Sequence, residues 1–144
     1  VTDVVAINRF GPDTYEVSVS IDGGQLVEPD GANPGKVKVC TVDSTKWLGV
    51  ALMRAEPAST TGVDTVWGQP RIGLDIPQPN VSVAWTGTFK LTAAAALNFG
   101  DIVYPAASGQ VQKATTTGRA VGMVVEPLGI ASGAAGLVRL FNGK

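Results

Sequence analysis

The chain has 144 residues, with 11 Lys and Arg against 12 Asp and Glu for a formal charge of −1, enough for one domain with an ordinary core. It has no histidine and one cysteine, which excludes His-based acid–base and nucleophilic chemistry, His-ligated metal, an internal disulfide and a Cys-rich zinc site. The basic residues are scattered singly, so the phosphate neutralisation of a nucleic-acid binder is missing, and no apolar run approaches the ~18 residues of a membrane span.

Val, Ile and Thr total 39 residues against 9 Leu and 4 Glu, while 18 Gly and 9 Pro supply turns. Stiff β-branched side chains suit a pleated surface, so the chain reads as all-β. Val4–Ile7 is a first apolar stretch. Tyr15, Val17, Val19 and Ile21 then alternate with Glu16, Ser18 and Ser20, the period of a strand with one buried face. Further strands are predicted at Gln25–Glu28, Lys36–Val42, Leu48–Arg54, Val63–Trp67, Val81–Trp85, Ile102–Tyr104, Val111–Lys113, Ala120–Glu126 and Gly136–Phe141. At most one short helix is expected, Thr92 capping Ala93–Leu97 and Gly100 closing it. The expected layout is one domain over 1–144. It comprises an N-terminal arm and strand (1–21), a first β unit (22–87) with a Pro-rich excursion at 56–80, and a second β unit (98–143). The fold class is a small β-barrel.

Self-comparison gives the reason for two units. Gly24-Gln25-Leu26-Val27-Glu28-Pro29 aligns with Gly100-Asp101-Ile102-Val103-Tyr104-Pro105 at an offset of 76. Gly35-Lys36-Val37 aligns with Gly109-Gln110-Val111 at 74, and Leu48-Gly49-Val50 with Val121-Gly122-Met123 at 73. Glu56-Pro57 aligns with Glu126-Pro127 at 70, and Trp85-Thr86-Gly87 with Phe141-Asn142-Gly143 at 56. Gly49 and Gly122 are expected at matching bends, where a strand glycine permits a bulge or a tight corner. Trp85 and Phe141 are expected to fill the core.

The second copy carries Gly100-Asp101-Ile102-Val103, Gly109-Gln110-Val111-Gln112-Lys113-Ala114, Arg119-Ala120-Val121-Gly122-Met123-Val124 and Gly136-Leu137-Val138-Arg139-Leu140. In this order the motifs resemble the capsid decoration (cement) proteins of tailed phages, across roughly residues 90–143 and more loosely in the first copy. The resemblance implies a β-tulip fold. It also implies trimers on the outside of the head that bridge major capsid subunits and stiffen the shell.

Candidate chemistry is sparse. Glu56 and Glu126 both precede proline and are read as exposed strand ends, and the aspartates sit beside Gly, Ser or Thr in turns, without the spacing of a calcium loop. Cys40 alternates with Val37 and Val39 and is expected as a buried small hydrophobe. Candidate partner or oligomer contacts are Val4, Val5, Ile7 and Phe10 of the arm, with Trp47 and Trp67, because tryptophan is enriched at protein contacts. The expected function is a non-enzymatic structural protein that decorates a phage head, its partners being the major capsid protein and itself as a homotrimer. Neither cofactor, metal, nucleic acid nor membrane is expected. Its place is the virion exterior, after synthesis in the host cytoplasm, since the first residues lack a signal peptide's basic and apolar regions. The alternative is a β-barrel module of another phage or cell-surface assembly, such as a tail or baseplate part or a polymer-recognition domain.

Overall fold

The computed structural model describes residues 12–57, 79–113 and 117–141. In β1 (Asp13–Val17) Thr14 and Glu16 face solvent while Tyr15 and Val17 turn inward, as the alternation requires. β2 (Leu26–Pro29) and β3 (Lys36–Val39) pair antiparallel, and β4 (Gly49–Ala51) lies on the other side of β2. β5 (Asn80–Ala84) joins β4 to β1, both antiparallel. A parallel contact of β1 with β3, Glu16 beside Lys36 and Val17 beside Val37, closes these five strands into a barrel. Val17, Val27, Val37, Ala51, Val81 and Val83 fill it.

The second unit follows in the same order. It contains β6 (Thr88–Thr92), β7 (Ile102–Pro105), β8 (Val111–Gln112), β9 (Gly122–Val124) and β10 (Ala135–Leu140). They form a curled half-barrel ordered β6-β10-β9-β7-β8, whose closing contact is reduced to one parallel bridge between Ala93 and Val111. The bridge is the counterpart of Val17 beside Val37, at the offsets of 76 and 74.

The registers agree residue by residue. Val27 faces Gly49 and Val103 faces Gly122; Leu26 faces Val50 and Ile102 faces Met123. Glu28–Lys38 and Pro29–Val37 correspond to Tyr104–Gln112 and Pro105–Val111. The turn before β2 recurs as well. The N–H of Gln25 bonds to the carbonyl of Asp22, and the Gln25 side chain accepts the Asp22 N–H at 2.8 Å. Asp101 does both to Asn98, its carboxylate accepting at 2.8 Å. Gly24 and Gly100 hold this turn at φ of +87° and +88°. Gly49 and Gly122 do sit at matching places. A Cβ on Gly49 would overlap the Ala84 carbonyl, and one on Gly122 the Arg139 carbonyl, so each glycine admits close approach of the neighbouring strand.

Four expectations change. Residues 93–97 are not helical: Ala93 and Leu97 make bridges to Val111 and Ile130. A five-residue run cannot meet the cost of helix nucleation, so sheet pairing prevails. The helical turn that exists is a single 3₁₀ turn at Ala107–Gly109, in the β7–β8 connection. Trp85 is only half-buried and Phe141 is exposed, so neither fills the core. For Phe141 the cause is a slip of one residue. Gly49 meets Ala84 and Gly122 meets Arg139, which makes the last offset 55 instead of 56, and a one-residue shift exchanges the faces of a strand. Glu56 and Glu126 are not equivalent either. Ile21 bridges Ala55 as Leu97 bridges Ile130, so the turn Glu126–Gly129 is an addition in the second copy. Finally, β1 and β6 are themselves a matched pair at offset 76, so the repeat begins earlier than the sequence alignment does.

Strands β2 and β4 are buried on both faces. Their inner residues Val27 and Ala51 belong to the barrel interior, while Leu26, Cys40, Trp47 and Val50 project outward into the hollow of the second unit. There they meet Leu91, Val103, Val111, Val124 and Val138 in one continuous core.

Candidate functional site

Several hydrogen bonds tie the two units at their seam. The Trp47 indole N–H donates to the Ala120 carbonyl at 3.2 Å, and the Arg119 guanidinium lies over the same ring, 4.4 Å from its centroid. Arg119 also donates from its side chain to the Trp47 carbonyl and from its backbone to Ser44. Asp43 N–H reaches the Pro105 carbonyl and Gly109 N–H the Cys40 carbonyl, at 3.0 and 3.2 Å. Glu28 is buried beside the seam, accepting from Ser44 Oγ and, at 3.3 Å, from Thr41 Oγ1, with Lys38 Nζ 3.7 Å away. Burial, followed by the nearby Glu28 charge, pushes the Cys40 thiol up to about 12, so it stays protonated and unreactive at neutral pH.

The acidic side chains serve turns and strand ends. Asp30 takes the hydroxyl of Ser18, the amide of Asn33 and the N–H of Ala32, which lower its carboxyl to about 2. Glu126 accepts the Leu137 N–H at 3.2 Å, and Glu56 pairs with Arg54 at 2.5 Å. Among the described residues no three Cys, Asp or Glu side chains gather as a metal site would need. A cleft of about 430 Å³ opens at the seam, where Asp22, Gln25, Lys90, Thr92, Ser108 and Gln110 meet. Gln25 Nε2 donates to the Ser108 carbonyl at 3.1 Å across it. Its lining offers hydrogen bonds to a ligand and no paired carboxylates.

Of the six candidate contact residues, Val4, Val5, Ile7, Phe10 and Trp67 lie outside the described residues. Trp47 is 1 % exposed and belongs to the core, not to the surface. Apolar side chains that do reach solvent include Val19, Val42, Leu52, Met53 and Phe141, and three on the second unit's turns and outer face. Phe99 is 64 % exposed at the tip of the Asn98–Asp101 turn, where the first unit has Gly23. Leu128, 98 % exposed, tops the added turn Glu126–Gly129, which lies against Leu97 and Asn98. Ile102 is exposed on the outer face of β7, beside half-buried Met123 on β9. The repeat contained a signal for two of these positions: Phe99 stands where the first copy has Gly23, and Ile102 with Met123 where it has the buried pair Leu26–Val50.

Neither a protein-family model nor a curated protein matches the chain. In fold it is similar to the N-terminal base of the head fiber gp8.5 of bacteriophage phi29, with a TM-score of 0.59 and 11 % sequence identity, over 92 % of this chain and 94 % of that one.

Proposed function

We propose that the chain is a structural protein of a phage head, seated on the outer capsid surface as a homotrimer that contacts the major capsid protein and stiffens the shell. The observation that carries this reading is the likeness in fold, over 92 % of the chain, to a protein that forms the base of a phage head fiber. The motifs that resemble decoration proteins support it, and they fall on and beside strands β7 to β10. A rigid β body with apolar side chains raised on two adjacent turns suits a protein that works by binding. On this reading no turnover, cofactor or nucleic acid is involved, and the mature protein resides on the virion exterior after synthesis in the host cytoplasm. A second reading follows from the neighbour being a fiber base: the chain is the seat of a longer appendage on the same head.

Binding to the assembled shell in preference to separated subunits must stabilise the shell by linkage. Purified protein mixed with undecorated heads should therefore bind saturably and raise the temperature at which they release DNA. Absence of saturable binding defeats both readings. Binding without any gain in heat resistance favours the appendage seat.

A further inference from the structure

The two units are joined head to tail. On the first unit, the cross-strand pair Leu26–Val50 points outward, and both residues are at most 1 % exposed because the second unit covers them. Part of the cover is the 3₁₀ turn Ala107–Gly109 between β7 and β8. Gly109 comes so close that a Cβ there would sit 2.9 Å from Gln25 Cβ, the Leu26 carbonyl oxygen and Val39 Cγ1. Gly109 N–H also caps the Cys40 carbonyl.

The face and the capping turn of this contact each have a counterpart that is exposed or half-buried among the described residues, while the hollow that completes the cover has none, because the first unit is a closed barrel. The counterpart of Leu26–Val50 is Ile102–Met123, in the same register on β7 and β9. Here Ile102 is 38 % exposed and Met123 half-buried, with Tyr104 on the same face. The counterpart of the covering turn is the β2–β3 connection, Gly31–Gly35. All five of its residues are exposed, and open space of at least 4 Å surrounds the Cβ positions of Gly31 and Gly35. Gly35 keeps the left-handed φ of Gly109, +82° against +68°. Among the described residues the chain thus carries a partly exposed face on β7 and β9 and an exposed turn between β2 and β3.

We infer that Gly31–Gly35 of one copy docks on the Ile102–Tyr104–Met123 face of the next, as the Ala107–Gly109 turn docks beside Leu26 within one chain. The occupant is a second copy of this chain, because the cap that fits this face within the molecule belongs to a unit of the same design. A head-to-tail contact uses two different surfaces and makes a ring where its rotation closes. The inference rests on the proposed function only for the number of copies in that ring. The incoming cap would lie against Asp101 and Lys113, which pair at 3.1 Å and stand where Gln25 and Val39 stand in the first unit.

The test uses the full chain. Ile102→Glu and Ala32→Glu alter opposite sides of the contact at exposed positions, so each variant should melt as the parent does. Each should weaken self-association by on the order of tenfold or more in a sedimentation concentration series. In addition, Ala32→Cys and Met123→Cys in one chain should form covalent rings on mild oxidation, whereas either cysteine alone should not cross-link. The buried Cys40 leaves this readout clean. Cross-linking by Met123→Cys alone would mean a two-fold contact and overturn the inference, as would an oligomer indifferent to both glutamates. A parent chain that sediments as a monomer throughout also overturns it, while saturable binding to heads would leave the decoration reading standing.

Discussion

In the first unit β1 meets β3 over two residue pairs, Glu16 and Lys36 add an ion pair of 2.9 Å, and the barrel encloses its own valines. The second unit uses the same strand order, the same registers and the same entry turn, yet its closing contact is the single Ala93–Val111 bridge. Thr92 and Gln110 stand where Glu16 and Lys36 would, and its hollow is filled by the outward side chains of the first unit. One design therefore yields a closed body and an open one. The difference lies less in the backbone pattern than in which side chains occupy equivalent places. Leu26, Trp47 and Val50 are large and apolar where the molecule joins its halves, and Phe99 and Leu128 are large and apolar where the fold itself needs nothing.

This comparison can be broken most forcefully at Trp47. Trp47→Ala should cost about 3–5 kcal/mol, since it removes the largest buried ring among the described residues and leaves a cavity at the seam. Chemical denaturation measures the loss. If the halves were independent, a second transition would separate as the seam weakened; a single cooperative transition is expected instead, because the core is shared.

Next come the matched glycines. Gly49→Ala and Gly122→Ala should each destabilise by about 3 kcal/mol, because a methyl group would be driven into the carbonyl of the adjacent strand. Gly31→Ala, in open space, should change thermal stability by under ~0.5 kcal/mol. Unequal costs at Gly49 and Gly122 would show that the two bends are alike in shape but not in energy.

Phe99→Gly makes the second turn like the first at its tip. Stability should stay within ~0.5 kcal/mol of the parent, because the ring is exposed. Occupancy on undecorated heads is the informative measurement, and it should fall if this turn faces the capsid. Unchanged occupancy would remove this turn from the proposed capsid contact.

The smallest effect concerns acid. The Asp101 carboxyl is held below its usual value, first by the Asn98 N–H and then by Lys113. A lowered pKa contributes stability that is complete above the ordinary carboxylate value near ~4 and fades as pH drops through the folded value. The turn at Asp22 uses the neutral Gln25 amide for the same bond. Between about pH 5 and about pH 2.5, protection of the Asn98 amide should therefore fall relative to that of Asp22, after correction for intrinsic exchange. Equal changes would mean that the carboxylate charge adds nothing to the bond.

Most strand positions among the described residues, the duplication and the paired glycines were legible in the chain itself, whereas β6 (Thr88–Thr92) was missed and the strand expected at Val63–Trp67 lies outside the described residues. Alternation of β-branched residues and the placing of Gly and Pro are local signals, and a repeat in sequence carries its pairing pattern with it. Sequence did not show that residues 93–97 extend instead of coil, because that choice was made by bridges to Val111 and Ile130, distant in the chain. Nor did it show the one-residue slip that leaves Phe141 exposed, since register is set by contact across a sheet, where one step exchanges inside for outside. Above all, Leu26–Val50 and Ile102–Met123 are the same pair on the same strands. Which of them is buried depends on what packs against it, and packing of one unit on the other is settled only when the whole chain has folded.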